Sequence, residues 1–164
     1  MVMANVRPDG SFADYREPVS VDDEELRARF GQARVARMAT VSAAGQPHLV
    51  PVTFALRGEA VATAVDHKPK TTMKLKRLRN VRETGRVALL VDEYDDDDWS
   101  KLWWVRVDGT ARVLEEEGDR AAPVAWLCEK YPQYRETPPA GPVIWLDITA
   151  VSGWSYPPRV DGQP

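Results

Sequence analysis

The chain has 164 residues, 43% of them hydrophobic, and a formal net charge of −3; that suffices for one sizeable core and is short for two, so a single domain with tails is expected. The near-neutral balance gives no global pull toward nucleic acid or membrane, which leaves any anion binding to local clusters. One cysteine, Cys128, excludes an internal disulfide and fits a reducing compartment and a helix-packing role; with no apolar run long enough to span a bilayer and no signal-type N-terminus, a cytoplasmic protein is expected.

Taken in order, Met1–Val19 lacks periodicity and reads as a mobile arm before a single domain over 20–156. Ser20 or Asp22 can cap a helix whose first turn carries Asp23, Glu24 and Glu25, with Leu26 and Phe30 four apart on its buried face and Gly31 at its end. Val35–Val41 reads as a strand and Gln46–Leu56 as a second, in which Pro47 and Pro51 remove ladder donors, so that strand must lie at an edge or bend locally. A turn at Arg57–Gly58 leads into Val61–Val65, completing a three-stranded meander.

Lys68 to Arg79 carries six cationic residues and no acidic one. Asp66–Pro69 is turn chemistry and Thr71 can cap a helix with Leu75, Leu78 and Val81 on one face. Positive charge at a strand end and a helix start suits a multiply charged anion such as a phosphate; Lys68, Lys70 and Lys74 are the favoured ligands, whereas Lys76, Arg77 and Arg79 read as a solvated outer face.

Beyond Gly85, Arg86–Asp92 is a nearly continuous apolar run, as expected of a strand buried on both faces. Asp95–Asp98 reads as an exposed acidic loop, its spacing unlike that of an EF-hand. In the strand Lys101–Leu114, Trp103, Val105 and Val107 face one way and Trp104, Arg106 and Asp108 the other, with Gly109 marking a bulge or close approach. Two adjacent tryptophans on opposite faces cannot share one core, so Trp104 is expected to meet a ligand or second subunit. A helix over Glu115–Tyr131, its start limited by Pro123, a proline-rich loop over Pro132–Pro142, the strand Val143–Ala150 with an extension to Tyr156, and a tail over 157–164 complete the chain. The fold class is therefore mainly β with helices, about six antiparallel strands that escape exposed edges by curling into a barrel.

Neither Gly-x-Ser-x-Gly nor a phosphate-loop motif is present, and the two histidines, His48 and His67, stand in no metal-ligand spacing, so no metal site is expected. Both read as ordinary polar residues, though His67 beside Lys68 could assist a phosphate.

The segments Ala36–Phe54, Lys68–Val81, Val87–Asp92 and Trp104–Val113, in this order, resemble the pyridoxamine 5′-phosphate oxidase-like split barrels, and among them the F420-dependent (deazaflavin) oxidoreductases. The resemblance covers Leu26 to Tyr156. It implies a six-stranded split β-barrel of the FMN-binding type, acting as a homodimer that holds FMN or coenzyme F420 between subunits. Phosphate contacts would fall on Lys68, Lys70, Thr71, Thr72 and Lys74, ring contacts on Pro51, Val52, Thr53 and Thr63, and contacts across the interface on Trp104 and Arg106. The arginine-rich segment and C-terminal motif of true pyridoxamine phosphate oxidases are missing, which argues against vitamin B6 oxidation. The expected activity is an F420-dependent oxidoreductase acting on a small organic substrate, with an FMN enzyme or a non-catalytic cofactor carrier or sensor as alternatives. A nucleic-acid role is disfavoured, because no aromatics interleave with the lysines.

Overall fold

In the computed structural model, residues 22–65 and 75–156 are described. Asp22 caps the first helix, α1 (Asp23–Gln32), by accepting the Glu24 N–H at 2.7 Å. Leu26 and Phe30 are buried on one face, and the helix runs one residue past Gly31, so the glycine does not end it; an added Cβ there would lie 3.5 Å from Leu56 Cδ2.

Strands β1 (Ala36–Val41), β2 (Pro47–Val52), β3 (Ala55–Arg57), β4 (Ala60–Ala64), β5 (Arg86–Glu93), β6 (Trp103–Leu114) and β7 (Val143–Ser155) form one antiparallel sheet. Its order is β2-β1-β5-β6-β7-β4-β3. The strand expected over Gln46–Leu56 is thus two strands, giving seven rather than six. Thr53 and Phe54 carry the chain from one end of the sheet to the other: β2 pairs with β1, and β3 with β4. A connection of two residues spans only about 10 Å, so the sheet must curl until its ends meet. This is how it becomes a barrel, and why the seam between β2 and β4 has no ladder; the meander expected there is replaced by the β3–β4 hairpin. Pro47 and Pro51 are tolerated because β2 is an edge strand.

Helix α2 (Lys76–Thr84) starts at an N-cap Leu75 with no side-chain cap bond and ends at Gly85 in the left-handed conformation; Thr71, the expected cap, lies outside the described residues. Leu78 and Val81 join Leu26, Phe30, Met38, Phe54, Val87, Leu89, Val91, Val105, Val107, Ile144 and Leu146 in the barrel core. Along β5, Val87, Leu89 and Val91 are buried while Ala88 and Leu90 are half-exposed; an antiparallel strand carries this alternation, not burial on both faces. The ladder between β6 and β7 slips at Asp108/Gly109. There an added Cβ would lie 2.3 Å from the Asp147 carbonyl, so the bulge and the close approach are one feature.

Helix α3 (Glu117–Lys130) begins six residues before Pro123, which sits buried inside it. A further helix, α4 (Pro132–Glu136), occupies the first half of the expected loop, with Pro132 at its start where the missing N–H costs nothing. Leu127 and Tyr131 of this corner pack on Ala55 outside the main core. In the acidic loop, Asp95 accepts the N–H groups of Asp97 and Asp98 and pairs with Lys101 at 3.0 Å. No described helix is long and apolar enough to cross a membrane.

Candidate functional site

The seam opens into a cleft of about 240 Å³ lined by Val35, Pro51, Val52, Thr53, Thr63, Ala64 and Arg77. Four residues expected to face a ring therefore come together: Pro51 and Val52 end β2, Thr53 starts the crossing to β3, and Thr63 stands on β4. Its lining combines four apolar residues with two hydroxyls and one guanidinium, and polar atoms make up the larger share of its surface. Such a mixture suits a flat heterocycle with a polar edge and an anionic handle.

Thr53 and Phe54 belong to no strand, so their polar groups must find partners elsewhere. The α3–α4 corner supplies them. Tyr131 Oη accepts the Phe54 N–H at 3.0 Å, and its proton is shared between the carbonyls of Phe54 at 2.8 Å and Arg34 at 2.9 Å. One turn on, Tyr134 Oη lies 2.8 Å from Thr53 Oγ1. Lys130 Nζ donates to the Ala33 carbonyl at 2.7 Å and stands 4.0 Å over the Phe54 ring. Arg34 returns a bond to the Lys130 carbonyl at 2.8 Å and lies over the Tyr131 ring. Both rims of the cleft, Val35 and Thr53, thus hang from one helical corner. Burial, and secondarily Arg34, draws the Lys130 ammonium down to about 8. Burial raises Tyr131, against the Phe54 N–H and Arg34.

Arg77 lines the cleft, where the sequence reading had assigned it to a solvated face. The signal in the sequence was Val81, four residues on and on the expected apolar face; in the structure Val81 and Asn80 are both buried, which places Arg77 on the border of the inner face. His48 on β2 belongs to the same neighbourhood. Its pKa is lowered by burial and then by the positive charges of Lys76 and Arg77. Arg79, by contrast, points away and pairs with Glu83 at 3.7 Å.

Lys68, Lys70, Thr71, Thr72 and Lys74 lie outside the described residues. Trp104 and Arg106 are not brought to this cleft within one chain. They sit on β6 opposite Asp92 and Trp154, and opposite Leu90 and Ser152, respectively. The Arg106 guanidinium donates to Asp108 at 2.8 Å. Tyr134 falls in the expected proline-rich loop over Pro132–Pro142, and Tyr131 ends the expected helix over Glu115–Tyr131 with no spacing that marks it as a site residue.

An 87-residue segment is 33% identical to the 5a,11a-dehydrotetracycline/5a,11a-dehydrooxytetracycline reductase of Streptomyces rimosus subsp. rimosus, covering 53% of this chain and 60% of that protein. Among solved structures, a conserved hypothetical protein from Mycobacterium tuberculosis superposes with a TM-score of 0.65 at 19% identity, over 92% of this chain and 98% of that one. An FAD-binding protein from Mesorhizobium loti gives 0.62 at 20% identity, over 84% and 96%. These two likenesses establish the curled split-barrel fold. The family model described as pyridoxamine 5′-phosphate oxidase matches residues 22–155, and the chain belongs to that family.

Proposed function

We propose that the protein is an oxidoreductase that seats the ring of coenzyme F420, or alternatively FMN, in the cleft at the barrel seam and serves hydride transfer to a small conjugated organic substrate. The observation that carries this reading is the convergence of Pro51, Val52, Thr53 and Thr63 beside Arg77 in one cleft that offers both apolar side chains and polar groups. The name of the Streptomyces relative, a 5a,11a-dehydrotetracycline/5a,11a-dehydrooxytetracycline reductase, supports a reductase reading.

A bound deazaflavin would supply the hydride chemistry itself. Val35, Pro51, Val52 and Ala64 offer apolar surface that excludes water from a ring face, and Thr53 and Thr63 offer polar points for its edge. Arg77, with Lys76 nearby, offers charge for a phosphate handle; the basic run from Lys68 to Lys74 would extend that surface. No side chain is assigned the proton that must accompany the hydride, since solvent can provide it. A cleft of about 240 Å³ is smaller than the roughly 300 Å³ of ordinary small-molecule sites. This favours a homodimer in which the second subunit closes the site, with Trp104 and Arg106 on the facing surface.

Titrating the purified protein with F420 and with FMN, following tryptophan quenching, tests the cofactor. Tighter binding of F420, weakened by salt, is expected. Binding of neither would end the reading. Oxidation of reduced F420 by a panel of enones and quinones then separates an enzyme from a carrier.

A further inference from the structure

We propose that Tyr134 is a positioning residue for the ring: its phenol donates to Thr53 Oγ1, so that the Thr53 proton is directed into the cleft and donates to an acceptor atom on the ring edge. This rests on reading the cleft as the ring site. The two hydroxyl oxygens are 2.8 Å apart, a separation that holds one proton between them. A phenol is the more acidic partner and the better donor than an alkyl alcohol. With Tyr134 donating, Thr53 becomes the acceptor and keeps its own proton for another group, and Thr53 lines the cleft.

The holder is itself held. Cys128 Sγ donates to the Tyr134 carbonyl at 3.0 Å. Arg135 reaches back to the carbonyls of Cys128 at 3.0 Å and Glu129 at 2.9 Å, fixing α4 on the end of α3. The Tyr131 and Tyr134 rings meet edge to face, with centroids 5.5 Å apart. The labour divides along the corner. Tyr131 satisfies the backbone of Phe54, whereas Tyr134 addresses the side chain of the residue that faces the cleft. A rigid support of this kind fixes a donor before the ligand arrives, which reduces the ordering cost of binding.

The test compares wild type with Tyr134→Phe, Thr53→Val, Thr53→Ser and the double variant Tyr134→Phe/Thr53→Val. Each is titrated with F420 and FMN, reading the dissociation constant and the visible absorption maximum of the bound chromophore, with thermal melts to confirm folding. Tyr134→Phe and Thr53→Val should each weaken binding by roughly 3- to 10-fold, the range for one neutral hydrogen bond, and move the absorption maximum in the same direction. Thr53→Ser should resemble wild type, and the double variant should bind no worse than Thr53→Val. Wild-type affinity and absorption in folded Tyr134→Phe overturn the positioning role alone, as does a double variant whose losses multiply. If Tyr134→Phe does not fold, Thr53→Val with unchanged affinity and absorption overturns it equally. Failure of wild type to bind either chromophore overturns the cofactor reading and this proposal with it.

Discussion

The hydroxyl of Tyr131 meets both backbone polar groups of Phe54, accepting its N–H at 3.0 Å and donating to its carbonyl at 2.8 Å. Phe54 is fully buried in the barrel core, yet it lies between strands, so a side chain from another element does what a ladder partner would do. Tyr131→Phe leaves two buried groups without that partner. The expected loss is about 2–6 kcal/mol, at roughly 1–3 kcal/mol for each unsatisfied group. Urea unfolding checks it, the midpoint falling while the slope stays constant.

Arg77→Gln should weaken F420 or FMN binding by about 10-fold or more, the range for a charge-assisted hydrogen bond. The dependence of affinity on salt should become shallower in the same variant, since one cationic contact is gone. Equal salt dependence in both proteins would place the anionic group away from α2.

His48 reports on the same corner. Lys76 and Arg77 help hold its pKa below the ordinary value, so an anionic ligand that neutralises them should let it rise. NMR titration of the imidazole C–H signals, with His48→Asn to assign the peak among the chain's two histidines, follows this directly. An unchanged His48 titration in the saturated complex would count against anion binding beside it.

Lys130 makes stability depend on alkaline pH. Its folded pKa, lowered to about 8, lies below the ordinary lysine value, so between the two the unfolded chain binds more protons than the folded one. Stability contributed by this group therefore rises as pH increases from about 8 toward about 10.5. Below pH 8 the half-buried ammonium carries its desolvation cost in full. Lys130→Met should flatten that part of the curve in chemical unfolding measured at stepped pH.

Gly109→Ala should destabilise the fold by about 1–3 kcal/mol, the usual range for overpacking. Its new methyl would sit 2.3 Å from the Asp147 carbonyl and 2.7 Å from Leu146 Cδ1. Gly118→Ala is the control: nothing lies within 4 Å of that position, and alanine favours the helix it occupies. Thermal melts of the two variants should separate clearly.

Much of this architecture was legible because it is periodic. Leu26 with Phe30, Leu78 with Val81, and Val105 with Val107 announce their buried faces through spacing alone, and all six are buried. Pro47 and Pro51 correctly marked an edge strand. The crossing at Thr53–Phe54 was not legible, since a strand that changes neighbours keeps the same composition. Pro123 and Pro132 misled for a related reason: a proline tolerated in a helix's first turn or interior looks locally like a breaker. Of the site, the β2 and Thr63 contributions could be named from the family resemblance. Tyr134 could not, because its role arises from a contact between residues 81 positions apart.

The two-residue crossing from β2 to β3 also has a dynamic consequence. With no hydrogen-bond ladder between β2 and β4, the barrel can breathe at that joint by parting side chains only, while every other strand pair must break backbone bonds to separate. The amide proton of Thr53, which lies between the strands, should then exchange faster than those of β5 and β6. A guest lodged across the joint would act as a rivet, and its arrival should appear first as slowed exchange there.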